Sequence, residues 1–407
     1  MTEEGKTYIR YSDKNSLMPK EETLERKPEK KQFIIGIPRE SDPNEGRVPL
    51  APMAVGLLVK NGHRVLIEES AGKAAYFPDN LYAEEGAEIV RSINEIYKAN
   101  MVVKISAPTD EEIDMLDKGQ TLFSSISLQG RSKNYFQKLL NKRVNAVAYE
   151  YIKDKTGAFP LVKSMSEIIG NAAIMIAAEY LCHPEYGKGI MLGGFPGVRP
   201  SEVVIIGAGT VAEYAARTAI GMGAEVKIFD DSIYKMRGLQ NKLGTRVFTS
   251  ILQPPLLLKA IKEADVVIGA KHSPWGQACY MVPKEMIQQM KQGAVIVDVS
   301  IDQGGCFETS RETSHKYPVY KEFGVTHYCV PNIASRVPHT ASYSLSNFLS
   351  SLLLNLTEAG GIENLIMQDK AFGKGVYVYS GILTNEYIGN KFGLSFRDLD
   401  LLLSALH

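Results

Sequence analysis

Ser201-Glu202-Val203-Val204-Ile205-Ile206-Gly207-Ala208-Gly209-Thr210-Val211-Ala212 is the stretch that decides the fold. A polar start leads into a short apolar strand, and G-x-G-x-x-A then opens a helix through Ala215 and Ala216. The first glycine permits a tight turn, and the second lets backbone approach a pyrophosphate. A small third residue allows close strand–helix packing, and the helix N-terminus faces the phosphates. A second apolar run, Glu225-Val226-Lys227-Ile228-Phe229, ends in Asp230 about 20 positions on, where a dinucleotide ribose 2′-hydroxyl needs an acceptor. Tight strand–helix turns use such glycines without any ligand. Strand, helix, second strand and terminal acid together point to a bound dinucleotide. Asp230-Asp231 would repel a 2′-phosphate, which favours NAD over NADP.

The same alternation of apolar runs and helical stretches continues on both sides. Runs at 33–37, 65–68, 101–105, 121–125 and 144–148 read as strands, with helices expected over 52–61, 81–92, 110–116 and 132–141. Around the glycine stretch, strands are expected at 203–206, 226–229, 266–270, 294–299 and 326–330. Such alternation implies α/β architecture, with two doubly wound, mostly parallel sheets covered on both faces. Ser164-Met165-Ser166-Glu167 has the capping-box pattern before an alanine-rich helix reaching Leu181. Residues 187–200, with five glycines and two prolines, read as a loop. Beyond Pro338, Leu345, Phe348, Leu349, Leu352 and Leu356 repeat at helical spacing, and this helix is expected to return to the first unit. The expected organisation is a charged arm at 1–31, a discontinuous substrate domain at 32–160 and 340–407, and a Rossmann domain inserted at 161–339. The site then belongs in the cleft between them.

A chain of 407 residues can build two such cores. Its 46 basic and 46 acidic residues cancel, so no whole-chain field would hold nucleic acid or an anionic membrane. Cys182, Cys279, Cys306 and Cys329 lie far apart, which suits reduced thiols in a cytoplasmic protein better than a disulfide scaffold or zinc site. The N-terminal residues have no apolar signal core. The longest apolar stretch, near 345–356, is broken by serine and asparagine, so no membrane partner is expected. No histidine falls in an H-x-x-x-H or H-E-x-x-H pattern, and no metal site is expected.

Three further segments carry candidate chemistry. In Gly36-Ile37-Pro38-Arg39-Glu40 and Glu45-Gly46-Arg47-Val48-Pro49-Leu50, a loop after a strand delivers an arginine. Such an arginine either grips a carboxylate through paired hydrogen bonds or merely caps the surface. In Asp298-Val299-Ser300-Ile301-Asp302-Gln303-Gly304-Gly305-Cys306-Phe307, Asp302 lies just past a strand's carboxyl end, where open α/β sheets place ligands. It would hold a water, order a ribose or relay a proton there, unless it only forms the turn. Pro331-Asn332-Ile333-Ala334-Ser335-Arg336-Val337-Pro338 also follows a strand directly, and is either the nicotinamide side of the site or a proline-bounded linker.

Together these segments resemble the alanine dehydrogenase family, which shares its fold with the first domain of proton-translocating transhydrogenase. The resemblance runs from about Phe33 to near the C-terminus. Its further carriers are Ala148-Tyr149-Glu150, Met165-Ser166-Glu167, the 191–198 loop and Ile301 to Glu308. It implies NAD-dependent oxidative deamination of L-alanine to pyruvate and ammonia, an amino-acid or 2-oxo-acid substrate, and a homo-oligomer, hexamer or dimer. It implies that Arg47 holds the substrate carboxylate and that Asp302 assists proton traffic beside the nicotinamide. It assigns Ser166, Gly207, Gly209, Ala212, Asp230, Lys235, Asn332 and Ile333 to the cofactor site.

Two departures stand against this pattern. Where the family has a second lysine in K-x-K-E-P, this chain reads Lys104-Ile105-Ser106-Ala107-Pro108, as the transhydrogenase domain does more nearly. Where the family has its catalytic histidine, Ser127 stands. Lys104, two positions from Ser106 and on the same strand face, is the candidate to supply the missing cation. Serine cannot titrate near neutral pH, so nothing comparable replaces the histidine. A related dehydrogenase for another amino or imino acid, or an NAD(H)-binding protein without alanine turnover, remains open on these residues.

Overall fold

The computed structural model describes residues 31–126, 128, 130–271 and 281–404. The arm expected at 1–31 therefore lies outside the described residues except for Lys31, and so do Ser127 and Cys279.

The first half of the chain lays down strands β1 (Ile34–Ile37), β2 (Arg64–Glu68), β3 (Glu88–Val90), β4 (Met101–Val103), β5 (Thr121–Ser124) and β6 (Asn145–Ala148). The second half adds β7 (Glu202–Ile206), β8 (Glu225–Phe229), β9 (Phe248–Ser250), β10 (Val266–Gly269), β11 (Val295–Asp298), β12 (Val319–Glu322) and β13 (Val325–Tyr328). The chain ends with β14 (Val376–Tyr379) and β15 (Ile382–Leu383). Among the described residues these form two sheets, ordered β15-β14-β6-β5-β4-β1-β2-β3 and β12-β13-β11-β10-β7-β8-β9. Pairing is parallel except at β14, β15 and β12. The α/β class and the doubly wound order follow directly from the alternation in the sequence.

Each sheet is wound outward from its middle. The chain leaves β1 for β2 and β3, then crosses to β4, β5 and β6 on the other side. It leaves β7 for β8 and β9, then crosses to β10 and β11. Both reversals open a crevice at the carboxyl ends of the strands, where such sheets bind ligands.

The strands read as apolar runs because both faces are covered. Successive residues of β7 point to opposite sides. Val203 and Ile205 pack with Ala173, Ala177, Ala215 and Ala216, whereas Val204 and Ile206 meet Leu257, Ile261 and Ile287. Two long helices cross between the units, α1 (Pro160–Cys182) and α2 (Pro338–Glu358). In α1, Leu161 and Met165 join the first sheet's core, and Ala172 to Leu181 join the second's. Helix α2 sends Leu345, Leu349 and Leu353 into the core that also holds Ile35 and Ile37 of β1 and Val65 and Ile67 of β2.

Three local expectations need correction. The helix expected over 81–92 is a short helix, Asp79–Glu84, followed by β3. Gly86, with φ of 89°, turns the chain between them. Ser164 to Glu167 do not cap a helix, because α1 already starts at Pro160, a first-turn proline. Ser164 instead bonds Ser344 of α2. Finally, α1, not the 345–356 stretch, is the described helix long and apolar enough to cross a membrane. Its apolar side chains are divided between the two sheet cores.

Candidate active site

The carboxyl ends of the two sheets face one cavity of about 660 Å³. The first sheet lines it with Arg47 after β1, Ser106 after β4 and Arg131 after β5; the second lines it with Asp302 after β11 and Asn332 after β13. Of the expected residues, Arg47, Asp302 and Asn332 thus meet in one place.

Arg47 is held rigidly. Glu45 accepts from its Nε at 2.7 Å and from its Nη2 at 2.6 Å. Burial alone would raise the Glu45 pKa, but the charge and hydrogen bonds of Arg47 outweigh it and hold the carboxyl below its ordinary range. Among the described residues, Nη1 meets only the Met165 sulfur, 3.7 Å away. The loop is pinned from the returning chain: Ser335, Ser342 and Ser346 accept from the backbone N–H groups of Gly46, Val48 and Ala51 at 2.6, 2.9 and 2.9 Å. This explains the serine spacing at the start of α2, which periodicity alone reads as polar filler.

Asp302 sits in a short 3₁₀ turn, Ile301–Gln303, ahead of two positive-φ glycines. Its side chain opens to the cleft, yet the surrounding walls desolvate the carboxyl and raise its pKa to about 6, against the opposing Asn332 backbone N–H. The turn is organised by Asp298, which sequence reading passed over. Fully buried at the end of β11, Asp298 accepts from Ser300 N–H, Cys306 N–H and the Ser310 hydroxyl.

The motif residues Glu40, Tyr149 and Glu150 also fasten the rim. Glu40 accepts from the N–H groups of Ile105 and Ser106, the Tyr149 hydroxyl donates to the Ile105 carbonyl, and Glu150 accepts from Ile126 N–H. Burial raises the Glu40 pKa to about 7 despite Lys104 nearby.

Lys104 corrects an expectation. Its side chain is completely buried, pairs with Glu112 at 2.6 Å and lies 3.9 Å from Glu40. β4 ends at Val103, so the strand-face argument that pairs Lys104 with Ser106 fails. Lys104 turns toward the helix at Asp110–Asp114 while Ser106 lines the cleft.

At the second sheet, Gly207 and Gly209 behave differently. Gly207 has φ of 119°, and any Cβ there would collide with the Ala270 carbonyl. Gly209 has ordinary backbone angles, and a Cβ there would meet nothing within 4 Å. The protein's own packing therefore accounts for the first glycine but not the second; a close-approaching external group would. Ala212 is fully buried behind this turn. Asp230 directly follows β8, with Oδ2 accepting from Ala208 N–H at 2.9 Å and Oδ1 from Ser232 N–H at 2.8 Å. A carboxylate has about four acceptor positions; with Lys271 Nζ donating to Oδ1 at 3.3 Å, three are taken and one is left for a ribose hydroxyl. Lys271, missed by sequence reading, bridges Asp230 and Asp231.

Asn332 adopts a left-handed conformation, φ 58°, and donates its side-chain N–H to Glu45 at 2.8 Å, joining the two halves of the cleft. Ile333 is buried in the second core. Ser166 bonds the Val162 carbonyl on α1, and Lys235 is exposed on the helix Ile233–Leu243; neither lines the cavity. Among the described residues, no three His, Cys, Asp or Glu side chains gather as a metal site.

Comparison with known proteins adds a lineage to this geometry. Residues 36–169 match the alanine dehydrogenase/PNT N-terminal domain family, and residues 173–386 match its C-terminal domain family. The chain is 38% identical to the alanine dehydrogenase of Mycolicibacterium smegmatis, over 90% of its own length and 98% of the relative's. A solved L-alanine dehydrogenase superimposes with a TM-score of 0.83 at 37% identity, covering 89% of this chain and 99% of that one. A transhydrogenase from Sinorhizobium meliloti shares the fold at TM-score 0.74 and 24% identity, covering 87% of this chain and 99% of that one.

Proposed function

The chain belongs to the alanine dehydrogenase/PNT family, and we propose from that premise that it is an NAD-dependent oxidoreductase acting on a small L-2-amino acid. The reaction is oxidative deamination to the 2-oxo acid and ammonia, with L-alanine the default substrate. The observation that carries this reading is the meeting of Arg47 and Asp302, from different sheets, in one cleft.

The residues fit the cofactor. Gly209 leaves backbone open at the N-terminus of the helix Thr210–Gly221, and Asp230 stands where ribose hydroxyls need an acceptor. NAD held there would supply the hydride acceptor for the reaction. Gly207 and Gly209 would seat the pyrophosphate over the buried Ala212, with Asn332 toward the nicotinamide side and Ile333 buried in the core. Arg47 Nη1 orients the substrate carboxylate, and Glu45 keeps the guanidinium from swinging away. Asp302, ionised above about pH 6, accepts or relays a proton at the reacting amine or its water.

Ser106 tempers the rate. It lines the cleft where the family has a lysine, and Ser127 stands in the sequence position of the family's histidine. Loss of a positioned acid–base group costs about 10²–10⁴ in rate, so slow turnover of alanine is expected. We extend the proposal to a cytoplasmic homo-oligomer, for which exposed Met53, Tyr76 and Met175 offer apolar surface.

NADH formation by the purified protein, followed with a panel of L-amino acids near pH 9–10, tests the reading. Turnover of alanine or another member of the panel supports it. Tight NADH binding without turnover of any of them would overturn it in favour of a cofactor-binding protein.

A further inference from the structure

We propose that the cleft grips a second acidic group on its substrate and that Arg131 holds it, so that the amino acid acted on is a dicarboxylic one. The inference deepens the proposed function and rests on the cleft being the substrate site.

The sheet order carries the geometry. β5, β4 and β1 are consecutive neighbours, so the loops after β1 and β5 leave the sheet about 10 Å apart, two strand spacings. Arg47 stands on the first loop and Arg131 on the second, and both line the same cavity. The intervening loop after β4 presents only Ile105, Ser106 and Ala107 to the cavity. Nothing cationic stands between the two arginines there, and the small side chains leave room for a substrate reaching from one to the other.

The two guanidinium groups are also in different states. Arg47 is neutralised by Glu45 at 2.6 Å. Arg131 forms no ion pair with any described carboxylate. Its guanidinium carbon lies 4.6 Å over the Tyr135 ring. Stacking on a ring face leaves the in-plane N–H donors free and aimed outward, the arrangement that suits a planar carboxylate. Asp42, Glu45, Asp302 and Glu312 also line the cavity, but the wall built by the β4 and β5 loops carries no carboxylate. An anion at Arg131 is therefore received by a cationic and hydroxyl-bearing wall. The methyl group of alanine would leave that wall without a partner.

Succinate and propionate, titrated calorimetrically into the full-length protein alone and with NAD, test the claim. A charge-assisted hydrogen bond is worth roughly ten- to a hundredfold in affinity, so succinate should bind more tightly than propionate by about that ratio. Arg131→Gln should bring the ratio close to one, and Arg131→Lys should keep part of it. A ratio near one in the unaltered protein, or one that Arg131→Gln leaves unchanged, overturns the inference. NADH formation with L-aspartate, L-glutamate and L-alanine separates this from the parent reading. Alanine turnover exceeding that of both diacids keeps the proposed function and overturns the inference. An Arg131-dependent succinate preference without turnover of any amino acid keeps the acid-binding role of Arg131 and overturns the proposed function, and with it the dicarboxylic amino-acid substrate.

Discussion

Glu45 grips Arg47 edge-on, with Nε and Nη2 donating to its two carboxylate oxygens at 2.7 and 2.6 Å. The same carboxylate accepts from Asn332 at 2.8 Å and Ser335 at 3.0 Å, so one buried acid aligns Arg47 and ties the two halves of the cleft together. Glu45→Gln keeps the shape but removes the charge. Loss of a charged hydrogen bond costs about 1.5–3 kcal/mol, so urea unfolding should report a stability loss of that order. The KM for the amino acid should rise about tenfold or more, because Arg47 is no longer fixed. NADH affinity should stay within twofold, and a large change in it would place Glu45 in the cofactor site instead.

Asp302 should set the acid limb of the pH profile. Desolvation lifts its pKa to about 6 from an ordinary 3.8. If the ionised form relays the proton, kcat/KM for deamination should fall tenfold per pH unit below about pH 6. Asp302→Asn should lose about 10²–10⁴ in kcat and flatten that limb. Stability moves the other way. A raised pKa means that the folded state holds the proton more tightly, so this group's contribution declines as pH rises from near 4 through about 6. At pH 8, Asp302→Asn should therefore melt no lower than the unaltered protein. A variant that is both inactive and much less stable would make Asp302 a structural residue.

Much of the fold was legible because parallel strands buried on both faces announce themselves as apolar runs. β7 and β10 lie where the pattern places them. β3, by contrast, has three residues and no fully buried side chain, so its text continues that of the preceding helix. β14 and β15 join the first sheet from the far end of the chain, a pairing that no local pattern encodes. At the site, Arg47 and Asp302 stood out as charges beside glycines at strand ends. Glu40 and Asp298 did not, because they bond chiefly to backbone N–H groups, nor did Glu45, whose bonds reach both Arg47 two positions on and Ser335 290 positions away. Arg131 carries no local mark in the sequence; the sheet order puts its loop two strands from that of Arg47.

Lys104 offers a direct test of that difference. Complete burial against Glu112 and Glu40 makes it a structural cation. Removing one partner of a buried pair costs about 3–5 kcal/mol. Lys104→Met should lower the melting temperature sharply, while the protein that remains folded keeps its KM for the amino acid. A raised KM with unchanged stability would return Lys104 to the substrate site.

The glycine pair supplies the sharpest separation of folding from cofactor binding. Gly207→Ala must strain the chain, because φ is 119° and the new methyl group meets the Ala270 carbonyl. It should cost about 1–3 kcal/mol of stability and weaken NADH binding as a consequence. Gly209→Ala meets no such obstacle: its backbone angles suit alanine, and the space before its Cβ is open for 4 Å. Its stability should change by no more than about 0.5 kcal/mol. If a pyrophosphate approaches that backbone, the methyl group stands in its path, and NADH affinity measured by fluorescence should fall about tenfold or more. Unchanged affinity in a fully stable Gly209→Ala protein would remove the cofactor from the glycine loop, and with it the reason for a glycine at that position.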